Sequence, residues 1–189
     1  MDSGQHAYGQ KPSILRRFFG FLIMVAIVLG VSFGVRVFAF EPFNVPSGSM
    51  ENTIMTGDTV FAEKISYLVG EPKAGQIVTF SDPQIPSRVL IKRCIATEGQ
   101  TIDMANGVLY VDGVAQQEPY VLGETYPLKT LSNVEISYPY TVPAGTIWVM
   151  GDNRENSADS RYFGPINVSA VFGQGVLVYW PLDHFGLLK

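Results

Sequence analysis

At 189 residues and 47% apolar content, the chain is long enough for one sizeable domain plus a membrane segment. A formal net charge of -4, with no basic patch to neutralise phosphates, excludes a nucleic-acid partner. The single cysteine, Cys94, excludes an intrachain disulfide and a cysteine-built metal cluster.

The first 13 residues are polar and carry no periodicity, and Lys11, Arg16 and Arg17 form a basic flank. From Phe18 to Val35 no residue is charged. As a helix those residues span about 27 Å, close to the hydrocarbon thickness of a bilayer. Continuing to Phe40 adds about 7 Å, and Arg36 near that end can snorkel to the interface. A cleaved signal peptide would have a shorter apolar core and a small-residue cleavage site, whereas Phe38-Ala39-Phe40 is bulky. The segment is expected to be an uncleaved transmembrane helix over 18–40 after a cytoplasmic basic tail over 1–17. The positive-inside rule puts the basic flank in the cytoplasm and everything after Phe40 outside it.

Beyond Glu41 the pattern changes to short runs of period two among many of the 19 Gly and 12 Pro, which predicts a mostly β domain. Strands are expected around Thr59–Lys64, Gln76–Phe80, Arg88–Ala96, Val108–Val111, Thr146–Met150 and Val171–Trp180. The run around Lys92 is the most apolar, so that strand is expected to be central. Asn106-Gly107 and Asp112-Gly113 mark hairpin turns. Residues 115–143 have weak periodicity, and no helix-period stretch of useful length follows the apolar segment.

Three stretches carry candidate chemistry. Ser49 stands in the turn-prone run Pro46-Ser47-Gly48-Ser49-Met50, and a serine needs a base to act as a nucleophile. Neither of the two histidines, His6 and His184, has the sequence context of a triad member. Lys92 stands in an apolar strand. It is an edge residue, or one whose stem lies over the core with its ammonium in water, or a buried amine whose lowered pKa fits it for general-base work. The third stretch, Met150 to Arg161, is dense in polar side chains directly after an apolar strand. It is either a solvated loop or a functional one. Asp159 and Arg161 can pair there, and Ser157 can hydrogen-bond a neighbouring base. The carboxylate spacing does not fit a calcium loop, and neither a metal nor another cofactor is expected.

Together these stretches resemble the type I signal peptidases, the membrane-anchored Ser–Lys endopeptidases of bacterial export. The resemblance runs through nearly the whole chain from Phe18. Pro46 to Met50 is similar to the family's nucleophile motif, Gly57-Asp58 to the turn after it, and Ile91-Lys92-Arg93 to the general-base motif. Gly151-Asp152-Asn153-Arg154 through Arg161 is similar to its most distinctive signature.

The resemblance implies that Ser49 is the nucleophile and Lys92 the general base. The Ser49 N–H and the Ser47 hydroxyl would form the oxyanion hole. Ser157 would orient the Lys92 amine, and Asp159 with Arg161 would be a supporting ion pair. It implies a coiled antiparallel β-sheet catalytic domain from 41–98 and 145–182, a smaller β insertion over 99–144, and a C-terminal tail over 183–189. The substrates would be signal-peptide-bearing preproteins, cut at the outer face of the cytoplasmic membrane after small residues. Met50, Ile54 and Leu90 are expected near the substrate pockets from their proximity to Ser49 and Lys92.

Tethering in the bilayer would raise the effective concentration of enzyme and signal segment. Phe43 and Tyr67-Leu68-Val69 would either dip into the interface or pack in the core. Where the family often has Pro-Thr-Leu after the nucleophile, this chain has Asn52-Thr53-Ile54, and losing the proline would loosen the loop. Two other classes compete. One is an inactive membrane-anchored binding domain, which the presence of Ser49, Lys92 and Ser157 opposes. The other is a self-cleaving DNA-binding regulator, which the apolar segment and acidic charge oppose. Cys94 reads as a small buried hydrophobe rather than a redox group.

Overall fold

The computed structural model describes residues 14–38 and 40–188, with 35–38 described in backbone only. Lys11, His6 and the rest of the expected N-terminal tail up to residue 13, like the Arg36 side chain, lie outside the described residues. The chain divides into two compact units, residues 1–38 and 39–189.

The first unit contains one helix, α1 (Ile14–Phe38). It begins earlier and ends sooner than the expected span of 18–40. Its stretch Ile14–Gly34 has a mean hydropathy of 2.2 and is long and apolar enough to cross a membrane. Phe19, Ile23 and Leu29 are all exposed, and apolar residues fall on every side of the helix, as in a segment surrounded by lipid.

The second unit is built on a coiled antiparallel sheet. Its strands are β1 (Phe40–Asn44), β2 (Thr59–Glu63), β3 (Ile77–Ser81), β4 (Val89–Thr97), β9 (Thr146–Met150), β10 (Ile166–Asn167), β11 (Val171–Trp180) and β12 (Gly186–Leu187). The order across the sheet is β1-β2-β11-β3-β4-β9-β10, with β12 added to β11. Register shifts on β11 and between β4 and β9 bend the strands and increase the local twist. A second sheet contains β5 (Thr101–Ala105), β6 (Val108–Val111), β7 (Val114–Ala115) and β8 (Tyr140–Thr141), in the order β7-β6-β5-β8. Asn106-Gly107 and Asp112-Gly113 close its hairpins in the left-handed conformations that such tight turns require.

Three apolar clusters fill the second unit. One gathers Ile102, Leu109 and Val111 of the second sheet around Trp148 and Met150. A second packs Val78, Phe80 and Cys94 against Phe163 and Val171. The third gathers Val45, Met50, Ile54, Val60, Ile77 and Val178 beneath the β1–β2 connection.

Two single-turn helices, α2 (Ser66–Val69) and α3 (Ser160–Phe163), are too short to write a helical period into the sequence. Within the expected C-terminal tail over 183–189, the described residues carry regular structure. A 3-10 turn at Leu182–His184 leads into β12, and Leu188 packs on the third cluster. That apolar anchor, together with the pairing on β11, holds the segment against the sheet.

Candidate active site

Ser49 lies on a 3-10 turn, Gly48–Met50, in the connection between β1 and β2. The connection is closed at its base by two backbone hydrogen bonds. Gly57 N–H donates to Val45 O at 2.8 Å, and Val45 N–H donates to Asp58 O at 2.9 Å. Met50 and Ile54 are fully buried and pin its underside to the core. At the start of so short a turn the Ser49 N–H has no acceptor within the turn, so it is available to another oxygen.

Lys92 lies on β4, between β3 and β9, and is 3% exposed. Its internal strand rules out the edge reading of this lysine. Nζ lies 2.6 Å from Ser49 Oγ and 3.1 Å from Ile91 O. Burial lowers the Lys92 pKa to about 8, against the opposing carboxylates of Asp159 and Asp152 and with help from the Arg88 cation. Roughly a tenth of the amine is therefore neutral at pH 7, against far less for a solvated lysine.

The loop after β9 clasps the Ser49 turn. Asn153 N–H donates to Ser49 O at 3.1 Å, and Asn153 Nδ2 donates to Gly48 O at 3.1 Å. Gly151 approaches so closely that a Cβ there would sit 2.3 Å from Ser49 O and 2.3 Å from Ser157 Oγ. Asp159 and Arg161 form a buried bidentate pair with both bonds at 2.9 Å. Asp159 also accepts the Gly151 N–H at 3.1 Å, and Arg161 donates to Arg154 O at 2.7 Å. The pair therefore ties the backbone of the loop at Gly151 and Arg154.

A second buried pair ties the three stretches together. Arg93, next to Lys92, donates to both oxygens of Asp152 at 2.9 and 2.7 Å, and Asp152 accepts the Thr53 hydroxyl from the Ser49 connection. The Tyr120 ring lies 3.8 Å from the Arg93 guanidinium carbon, and Arg154 pairs with Glu118. These links anchor the 116–126 segment against the site.

The remaining expected site residues divide. Ser47 Oγ lies 3.5 Å from Ser49 Oγ on the exposed side. A cleft of about 180 Å³ runs between Phe43–Ser47 and Arg88–Lys92 and includes Ser49, Thr79 and Leu90. Met50 and Ile54, expected beside that cleft, do not line it, because both are wholly buried beneath it. The expected hydrogen bond from Ser157 to Lys92 is not made. Ser157 Oγ is buried without a hydrogen-bond partner, while Lys92 Nζ is engaged by Ser49 and Ile91.

Asn52 also corrects an expectation. Its φ of +83° lies in the left-handed region, which Pro cannot enter, and its Nδ2 donates to Tyr120 O at 3.0 Å. The loop is therefore tied at this position rather than loosened. Of the expected interfacial residues, Leu68 and Val69 are exposed, whereas Tyr67 and Phe43 are only partly so.

Arg93, Asp152 and Asn153 stand inside the motifs that carry the resemblance, but sequence reasoning gave them no role as site-builders. The signal for the first pair was a cation beside Lys92 and a carboxylate directly after an apolar strand. Pairing across 59 positions left no local trace.

Comparison with known proteins adds the following. The family model described as "Signal peptidase, peptidase S26" matches residues 16–180. A probable signal peptidase I-1 of Synechocystis sp. is 37% identical over 88% of this chain and 84% of that protein. A signal peptidase I of Bacillus licheniformis is 36% identical over 86% of this chain and 87% of its own length. A crystal structure of a signal peptidase I from Enterococcus faecalis is 30% identical, covers 56% of this chain and 97% of that one, and superposes with a TM-score of 0.43.

Proposed function

The chain belongs to the S26 family of signal peptidases, and we propose that within it Ser49 is the nucleophile and Lys92 the general base. The protein is a serine endopeptidase that removes signal peptides from preproteins. The observation that carries the residue assignment is the 2.6 Å contact between Lys92 Nζ and Ser49 Oγ, at a lysine whose burial favours the neutral amine.

Neutral Lys92 accepts the Ser49 hydroxyl proton as Oγ attacks the scissile carbonyl carbon. The developing oxyanion is met by the Ser49 N–H and the Ser47 hydroxyl. Lys92, now an ammonium, returns its proton to the leaving amine. Water then attacks the acyl carbon while Lys92 takes its proton; the C–Oγ bond breaks, and Lys92 returns that proton to Ser49 Oγ, restoring the hydroxyl and the neutral amine. Ser157 supports the Lys92 amine, since a buried hydroxyl with no partner gains by meeting it. Asp159 and Arg161 hold the loop that clasps Ser49.

The narrow cleft, with Leu90 on one wall, favours small side chains before the cut by excluding larger ones. The 41–98 and 145–182 segments form the catalytic part and 99–144 the insertion. The apolar helix anchors the protein in the cytoplasmic membrane, with Arg16 and Arg17 on the cytoplasmic side and the catalytic domain outside, where the lipid surface is its neighbour. Nucleic acid has no part in the reaction.

The test is cleavage of a preprotein with Ala at the first and third positions before the cut, by purified protein in detergent. Ser49→Ala and Lys92→Ala are each expected to abolish cleavage. Full activity of Lys92→Ala would overturn the assignment. Sidedness is read from protease accessibility of the catalytic domain in intact cells and after lysis.

A further inference from the structure

The C-terminal segment 182–188 contacts the Ser49 connection through His184. His184 Nδ1 lies 2.7 Å from Asp58 Oδ1. Asp58 is 1% exposed, and its other oxygen accepts the Met55 N–H at 2.8 Å. Asp58 O also accepts the Val45 N–H that closes the base of the connection. On the same segment, Leu188 packs on the cluster containing Met50, the residue after Ser49. Leu188 N–H donates to Val176 O at 3.0 Å, and β12 pairs with β11 at Leu177 and Val178.

We propose that His184 is a positioning residue for the peptidase reaction, clamping the base of the Ser49 connection through Asp58 so that Oγ stays registered on Lys92. The proposal rests on Ser49 as the nucleophile.

Three things support it. Asp58 is the only charged residue among the buried side chains of the connection, and a buried carboxylate demands partners. His184 supplies one from an element distant in sequence, and its ring is exposed, so the contact is not a by-product of core burial. The segment also ends on the cluster that carries Met50, so it meets the connection at its base through Asp58 and packs on the apolar cluster under it. Small displacements of a catalytic group cost rate far more than binding.

The clamp is also protonation-dependent. The charged groups facing His184 are Asp58 across the contact and Asp183 on its own segment, and the hydrogen bond to Asp58 raises its pKa above 6.5. The sign follows: the charge-paired clamp is fully present below the unfolded value and weakens as pH rises through the raised one. Above that range a neutral ring still donates one Nδ1–H.

The experiment compares wild type, His184→Ala and His184→Gln as full chains in detergent. Preprotein cleavage is measured together with hydrogen-exchange protection of the 48–58 peptide from pH 6 to 9. His184→Ala is expected to lower kcat about fivefold with KM within about twofold, and His184→Gln to recover most of kcat by donating from its amide. Protection of 48–58 is expected to fall with rising pH in wild type and to be flat in the Gln variant. Unchanged kcat and unchanged 48–58 protection in His184→Ala would overturn the clamp. If Ser49→Ala retained cleavage, the nucleophile assignment would fail on its own, and the exchange measurement would still decide the clamp.

Discussion

Lys92 Nζ reaches Ser49 Oγ at 2.6 Å from an internal strand, with the lysine 3% exposed. An ammonium in that position bears a desolvation cost that its carboxylate neighbours, Asp159 and Asp152, offset only in part, so its pKa falls to about 8. Because the reaction requires the neutral amine, kcat is expected to rise with pH through about 8 and then level off. The same shift sets a stability signature. The unfolded lysine titrates near 10.5, so between about 8 and that value the unfolded state holds more protons and the fold gains stability as pH rises. Lys92→Met is therefore expected to abolish cleavage and raise Tm at pH 7, with the gain shrinking toward pH 10.5. A Tm gain independent of pH would contradict the cause given for the shift.

Ser157 gives a cleaner separation of stability from activity. Its hydroxyl is buried and unpaired, so Ser157→Ala removes an unsatisfied group rather than a hydrogen bond. Thermal stability is expected to stay level or rise by up to ~1 kcal/mol. Cleavage is expected to fall about tenfold or more as Lys92 loses the hydroxyl proposed to meet its amine during the reaction. Undiminished kcat would remove Ser157 from the catalytic assembly.

Gly151 is confined from two sides. A methyl group at its Cα would meet Ser49 O at 2.3 Å and the Ser157 hydroxyl at 2.3 Å. The serine side chain can rotate, but the backbone carbonyl can move only with the Ser49 turn. Gly151→Ala is therefore expected to lower kcat by about two orders of magnitude while costing only ~1–3 kcal/mol of stability. Denaturant midpoints measured beside single-turnover rates would check this, and loss of both in proportion would point to general unfolding instead.

What the sequence made legible, and what it did not, follows from the range of the interactions. The β1–β2 turn, the apolar strand at Lys92 and the polar loop after β9 each leave a local pattern, so Ser49, Lys92 and the Asp159–Arg161 pair stand out. The Asp159–Arg161 pair bridges two positions, and its spacing alone suggests it. Asp152 and Arg93 bridge 59 positions, and His184 and Asp58 bridge 126, distances over which no local pattern survives. The positions of Met50 and Ile54 follow the same logic. Closeness to Ser49 in sequence says nothing about which side of a tight turn a side chain occupies, and both took the buried side.

Asn52 shows how a family resemblance can mislead at one backbone angle. At a φ of +83° the chain occupies a region open to Gly and tolerated by Asn, whereas the Pro ring holds φ near ~−65°. Installing the family's proline at this position would force the connection to rearrange between Ser49 and Thr53, whose hydroxyl anchors Asp152. It would also remove the amide bond to Tyr120 O. Asn52→Pro is expected to cost ~2 kcal/mol or more of stability and most of the cleavage activity. Asn52→Gly keeps the angle and loses one exposed hydrogen bond, so it should cost ~1 kcal/mol or less and leave kcat within about threefold. Chemical denaturation and initial-rate measurements on the two variants decide the matter. A stabilised, fully active proline variant would show that the connection is not held in this geometry in solution.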